Sequence, residues 1–238
     1  MKSRFSQRSS QIEIMDDLEC KGEVVNQTLK ELEVINRWLG GNKVTLAGIK
    51  HLINKKDLKE ISIVDLGCGG GDILKEIADW GRQNKIKLNL TGIDANPNII
   101  DFAKSNTSGY SEVECVVQNI FSEDFNRRKS DIIIATLFTH HFNNEELAAL
   151  MKNLKRQSSI GVVINDLHRH WLAYYSIKML TSIFSKSAMV KYDAPLSVLR
   201  AFSRKDLLTI MRKTGINDFK LIWKWAFRWQ LIIPGSLA

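Results

Sequence analysis

No run in the 238 residues approaches the ~18 consecutive apolar positions that a membrane-spanning helix requires. Cysteine is scarce: Cys20, Cys68 and Cys115 stand far apart and odd in number. They form neither a disulfide framework nor a metal-binding spacing, which fits a reducing cytoplasm. The basic, serine-rich start (Lys2, Arg4, Arg8, Ser9, Ser10) has no apolar stretch behind it and does not read as a secretory signal. Residues up to about Gln11 are expected to be mobile. A basic arm is also missing. The formal net charge is +8, yet Lys and Arg are scattered along the whole chain, the pattern of a solvated surface and not of a nucleic-acid partner. There is no internal repeat and no linker, so the length suits one α/β domain with added segments.

What is present is concentrated in Ile61–Asp72. A β-branched run ends in Asp65, and glycine then recurs at Gly67, Gly69 and Gly71 ahead of an apolar helical pattern (Ile73, Leu74, Ile77, Ala78). Strand, glycine turn and helix let backbone approach a ligand closely and aim the helix N-terminus at it. The dinucleotide fingerprint needs a small residue at position 72, where Asp72 stands, and no G-x-x-x-x-G-K-[ST] loop occurs. An acid ahead of the first glycine would repel a pyrophosphate but would suit a cation such as an amino-acid ammonium.

Two helices are expected before this stretch, Val25 to Leu39 (stopped by Gly40-Gly41) and Lys43 to Ile53. After it, strand two (Leu88 to Ile93) ends at Asp94, placed to accept both hydroxyl hydrogens of a ribose. Strand three, Val113 to Val117, runs into Gln118-Asn119-Ile120-Phe121. Strand four, Asp131 to Thr136, is apolar enough to be buried on both faces. It ends in Leu137-Phe138-Thr139-His140-His141-Phe142. Ligands of open parallel sheets sit outside the carboxyl ends of the strands, and a histidine there can take a proton near neutral pH. The alternative is a pair of loop histidines that only shape the pocket. Metal binding by His140 and His141 lacks a third ligand at a recognisable spacing, so no metal is expected.

Strand five, Ile160 to Asp166, is followed by an aromatic and apolar insertion from Leu167 to about Arg200. It reads either as a lid over an apolar, aromatic substrate or as a packing or homodimer helix with no ligand contact; its start at the carboxyl end of a strand favours the lid. A helix from Ser203 to Thr214 starts with the capping pair Ser203-x-x-Asp206, and Phe219 to Trp223 with Phe227 to Ile233 alternate as a terminal hairpin.

The stretch Asp65-x-Gly67-x-Gly69-x-Gly71 resembles motif I of the class I, Rossmann-like S-adenosylmethionine-dependent methyltransferases, and the order of elements extends the likeness over about residues 60–233. Glu33 to Gly41 resembles the cap helix of bacterial small-molecule methyltransferases that act on polyketide-derived phenols, quinones or phenolic lipids, a secondary-metabolism setting. The resemblance implies a seven-stranded, mostly parallel sheet with helices on both faces, a C-terminal antiparallel hairpin and a helical cap. The cap would span 1–58 and the methyltransferase domain 59–238, with the lid at 167–200. It implies S-adenosylmethionine as cofactor, held by Asp65, Gly67, Gly69, Gly71, Asp94, Ala95, Asn119, Ile120 and Leu137. Asn119 stands where the family usually has an acid. His140 or His141 would deprotonate the acceptor hydroxyl, and Phe142, Trp171, Tyr174 and Tyr175 would wall a small aromatic substrate. A nucleic-acid or protein methyltransferase is the first rival, although Thr136-Leu137-Phe138-Thr139 is not an Asn/Asp-Pro-Pro-aromatic signature. A binding protein that keeps the fold without catalysis is the second.

Overall fold

The computed structural model of the chain describes residues 4–54, 56 and 58–235; Lys2 lies outside them. Helices α1 (Glu23–Trp38) and α2 (Gly41–Ile53) precede β1 (Glu60–Leu66) and α3 (Asp72–Asn84). Then come β2 (Lys87–Asp94), α4 (Pro97–Asn106), β3 (Val113–Val117), the single-turn α5 (Glu123–Arg127) and β4 (Ser130–Thr136). The chain continues through α6 (Asn144–Gln157), β5 (Ser158–Leu167), α7 (Trp171–Phe184), α8 (Ala188–Arg200), α9 (Arg204–Thr214), β6 (Lys220–Lys224) and β7 (Arg228–Pro234). The expected insertion is therefore two helices, α7 and α8. No helix among the described residues is long and apolar enough to cross a membrane.

The seven strands form one sheet in the order β3-β2-β1-β4-β5-β7-β6. The first five are parallel, β7 runs antiparallel to β5, and β6 antiparallel to β7. Alternation along β1 divides the core. Ile61 and Ile63 pack with Ile49, Leu74, Ile77 and Ile100 on one face, while Val64 and Leu66 pack with Leu147, Leu154 and Ile210 on the other. Strands β1, β4 and β5 are buried on both faces, which explains their apolar runs, while β3 and β6 at the sheet edges are partly exposed.

Local signals end the helices where the sequence put them. Ser203 and Asp206 form a reciprocal capping box at α9, and Asn143 with Glu146 forms another at α6. The two glycines after α1 have separate duties. Gly40, at φ +69, makes the left-handed turn, and Gly41 already belongs to α2. A Cβ on Gly41 would lie 2.7 Å from the Arg228 guanidinium Nη2, so its role is close approach.

The N-terminal segment departs from the expectation of mobility. Arg8 donates from Nε to the Arg200 carbonyl (2.7 Å), from Nη1 to Asn144 Oδ1 (2.9 Å), and from Nη2 to the carbonyls of His140 and Phe142 (2.8 Å each). Its guanidinium also lies over the Phe202 ring. One arginine thus ties the start of the chain to the β4–α6 corner and to α8. Hydrogen bonds to charged groups contribute about 1.5–3 kcal/mol, not additively, so Arg8→Ala should lower stability in chemical denaturation by about 2 kcal/mol or more. A loss below about 0.5 kcal/mol, the size of an ordinary surface change, would contradict this anchoring.

Candidate active site

Because β1, β2, β4 and β5 all end on the same edge, the residues that follow them converge there. They line a cavity of about 620 Å³, closed on its far side by α1, α7, α8 and the segment around Glu13–Asp16. Pockets of about 300–1,000 Å³ are the size that holds a small ligand or cofactor. Asp65, Gly67, Gly69, Asp94, Ala95, Asn119, Ile120, Leu137, His140, His141 and Phe142 all line it. Gly71 does not. It turns the chain into α3 at φ +75, and a Cβ there would press Thr107 Cγ2 at 2.8 Å.

Asp65 is fully buried, and neither carboxylate oxygen has a hydrogen-bond partner among the described residues. Burial, with Asp72, Cys115 and Asp94 nearby, pushes its carboxyl well above the usual range. An orphaned buried carboxylate beside an open glycine loop fits a cationic ligand group. A Cβ on Gly69 would meet only Leu29 Cδ2, at 3.8 Å, so the loop surface stays free for a ligand, whereas one on Gly67 would collide with the Phe138 ring. Asp94 caps the next turn: its Oδ1 accepts from the Asn96 N–H at 3.0 Å. Burial raises its carboxyl, while the N–H groups of Asn96, Gly69 and Ala95 draw it back. Asn119 Oδ1 accepts from the Phe121 N–H at 2.8 Å, which fixes the turn that carries Ile120 into the wall. Leu137 sits at φ +56 with its N–H on the Asn165 carbonyl, 2.8 Å away. A left-handed leucine costs of order 1–3 kcal/mol and is held where surrounding bonds over-determine it.

The two histidines have different settings. His140 is buried, and its Nδ1 lies 2.7 Å from Asp166 Oδ1 at the end of β5. The other oxygen of Asp166 accepts from Thr139 Oγ1 (2.6 Å) and the His140 N–H (3.0 Å). Burial would raise the Asp166 carboxyl, but the His140 charge and these hydrogen bonds, with that of the Leu167 N–H, hold it at about 2. An acceptor at Nδ1 assigns the ring proton of the neutral imidazole to that nitrogen and leaves the lone pair on Nε2. His140 Nε2 faces Glu13 Oε1 at 3.6 Å. His141 instead pairs through Nδ1 with Asp16, which also binds Arg200. The N-terminal segment is strapped down by α8: Asp193 accepts from the N–H groups of Ile14 (2.8 Å) and Met15 (3.1 Å), and Ser197 Oγ donates to Glu13 Oε2 (2.9 Å).

Three sequence expectations are corrected here. Trp171, Tyr174 and Tyr175 do not wall the cavity. Trp171 and Tyr175 are more than half exposed, and Tyr174 is buried edge-to-face on Phe5, 5.7 Å between centroids, beneath Arg4. Helix α7 presents Ala173, Ser176, Ile177 and Leu180 to the cavity instead, because the N-terminal segment occupies the aromatic side. Glu13, Asp16 and Arg228 were not foreseen as lining residues. The signal for Arg228 was legible as the one cation entering the apolar run 227–233. Glu13 is also the third candidate metal ligand that the sequence lacked, with its oxygen and the two imidazoles mutually within 4.8 Å. Arg200 Nη1 lies 3.6 Å from the same oxygen, a fixed cation where a metal would need a free lone pair.

Glu13 is set apart by burial, which raises its carboxyl to about 7 against the opposing pull of His141, Arg200 and Ser197. Folded, it keeps its proton toward pH 7; unfolded, it releases it near the ordinary 4.5. The stability contributed by the protonated form is full below pH 4.5 and lost as pH rises through 7. Glu13→Gln, which cannot ionise, should match the native melting temperature near pH 4.5 and exceed it by a few degrees at about pH 8. A difference that does not vary with pH would contradict the raised carboxyl.

Comparison with known proteins agrees with this geometry. Residues 63–159 match a family model described as a methyltransferase domain. Carboxy-S-adenosyl-L-methionine synthase of Campylobacter jejuni (strain 81-176) is 25% identical over 207 residues, 82% of this chain and 85% of that one. Among solved structures, a SAM-dependent methyltransferase from Aquifex aeolicus superposes with a TM-score of 0.60 at 17% identity, covering 87% of this chain and 97% of that one. The plantazolicin methyltransferase BpumL, solved with a monoazolic desmethyl analog and SAH, gives 0.62 at 18% identity and 89% of both chains. Residues 63–159 thus match a methyltransferase domain, the fold around them is the Rossmann-like methyltransferase fold, and the cofactor that such a domain uses is S-adenosylmethionine.

Proposed function

We propose that the protein transfers the methyl group of S-adenosylmethionine to the hydroxyl of a small apolar acceptor of phenol, quinone or polyketide type, in the cytoplasm. The observation that carries this reading is the buried His140–Asp166 pair at the carboxyl end of the sheet, 2.7 Å apart, on the cavity wall with its other imidazole nitrogen beside Glu13. Bound S-adenosylmethionine supplies an electrophilic methyl on a sulfonium. Asp65 receives the ammonium of the amino-acid end over the Gly67 to Gly71 loop, Asp94 takes the ribose hydroxyls, and Asn119 with Ile120 borders the adenine. Asp166 orients His140 and stabilises the imidazolium that forms when Nε2 takes the hydroxyl proton. Ala173, Ile177, Leu180, Val190 and Val198 line the acceptor side and exclude water, so that orientation of the reacting pair carries most of the acceleration. His141, tied to the N-terminal strap through Asp16, is a wall residue in this scheme.

The likeness to carboxy-S-adenosyl-L-methionine synthase favours a second reading, in which the cofactor itself is the molecule modified. The nucleoside product separates the two. S-adenosylhomocysteine means methyl transfer, and a cofactor heavier by a carboxyl group, formed only when a small carboxylic acid is supplied as carboxyl donor, means the second reading. In a panel of phenols, quinones, acyl aromatics, tRNA and peptide, turnover is expected with flat small acceptors. His140→Gln should lower kcat by a factor of roughly 10²–10⁴ with unchanged affinity for S-adenosylhomocysteine, and His141→Gln should have a much smaller effect. Normal turnover by His140→Gln, or turnover confined to tRNA or peptide, would refute this reading.

A further inference from the structure

Among the described residues, Arg228 is the one large charged side chain buried to 2% exposure or less that lines the cavity. It opens β7, opposite Leu167 of β5, on the edge of the sheet where the ligand-facing residues gather. Nη2 donates to Asn36 Oδ1 at 2.7 Å. Nε and Nη1, with three N–H donors between them, have no acceptor among the described residues. Asp166 and Asp72 both act on it through charge, yet neither forms an ion pair with it.

A guanidinium buried without a counter-charge destabilises the fold, because desolvation of the ion is not offset by a partner. The surroundings nevertheless hold it in place. Asn36 Nδ2 donates to Asn42 Oδ1 at 3.1 Å, and Asn42 Nδ2 donates in turn to Asp72 Oδ2 (2.8 Å) and Glu76 Oε1 (3.0 Å) at the start of α3. Two neutral amides therefore orient the fork without neutralising it. Gly41 leaves it room, since a Cβ at that position would stand 2.8 Å from Cζ. Burial lowers the guanidinium to about 10, so it is charged at neutral pH. An oriented, desolvated and unpaired guanidinium facing a ligand cavity is the arrangement that recognises a planar oxyanion, with charge-assisted bonds from more than one nitrogen.

We propose that Arg228, held by Asn36 and Asn42, is a carboxylate-binding site in the cavity. The proposal rests on the cavity being the ligand site but not on methyl transfer or on a phenolic acceptor. The carboxylate has two sources with the same chemistry: the amino-acid end of the cofactor, or an acid group on the acceptor.

The test compares wild type, Arg228→Met and Arg228→Lys by calorimetry and thermal melting. Arg228→Met, which removes the unpaired charge at similar length, should melt no lower than wild type without ligand. If the cofactor is the source, Arg228→Met weakens S-adenosylhomocysteine binding by tenfold or more and leaves binding of the decarboxylated nucleoside analogue unchanged. If the acceptor is the source, nucleoside binding stays at the wild-type level. The preference of the cofactor-loaded protein for hydroxybenzoic acids over their methyl esters, read as melting shifts, then disappears. Should Arg228→Met fail to fold, Arg228→Lys decides, because a point charge lacks the fork and should lose several-fold in whichever arm applies. Wild-type affinities for the nucleoside and unchanged discrimination between acids and esters in the folded variants would overturn the proposal.

Discussion

The site depends on the carboxylate of Asp166. Out of water at the end of β5, it accepts from the Thr139 hydroxyl, the His140 main-chain N–H, the His140 ring and its neighbour Leu167 N–H. Four donors on one buried ion offset its desolvation and fix three things together: the turn after β4, the histidine tautomer and the end of β5. Removing one partner would leave a buried charge short of bonds, so Thr139, His140 and Asp166 form one cooperative unit.

Around that unit the molecule sorts its charges by purpose. Asp166, Asp16 and Asp193 are satisfied and structural: they hold a histidine, an arginine and the N-terminal strap. Asp65 and Arg228 are buried with unsatisfied atoms. Unpaired polar atoms in a core cost about 1–3 kcal/mol or more each, and a fold tolerates them where a ligand completes the bonds. The contrast between satisfied and unsatisfied titratable groups therefore separates residues that build the cavity from those that face its contents.

The part of this arrangement legible in the sequence was the part carried by contiguous residues. Asp65 to Gly71, Asp94 and the His140-His141 pair each lie at or just past the carboxyl end of a strand, and a parallel sheet brings strand ends together whatever the loops do. The hairpin and the α9 cap were equally local. Contacts made across the chain were illegible. Glu13 meets His140, and Arg8 meets Arg200, over separations no local pattern encodes. The aromatic face of α7 misled for a physical reason. Large side chains read as substrate wall, but Phe5 and Arg4 cover Tyr174 from outside, and the inward face carries Ala173, Ser176, Ile177 and Leu180 instead. Arg228 was visible as a cation in an apolar strand, but its unpartnered nitrogens show only in the structure.

The proposed function requires that the cavity beneath α1, α7 and α8 take S-adenosylmethionine, with its ribose on Asp94. Titration calorimetry with S-adenosylhomocysteine on the native protein and on Asp94→Ala measures this directly. A charged hydrogen-bond acceptor contributes about 1.5–3 kcal/mol. The account predicts one nucleoside per chain and an affinity more than roughly tenfold weaker in the variant. No binding to the native protein, or equal affinities in the two, would contradict it.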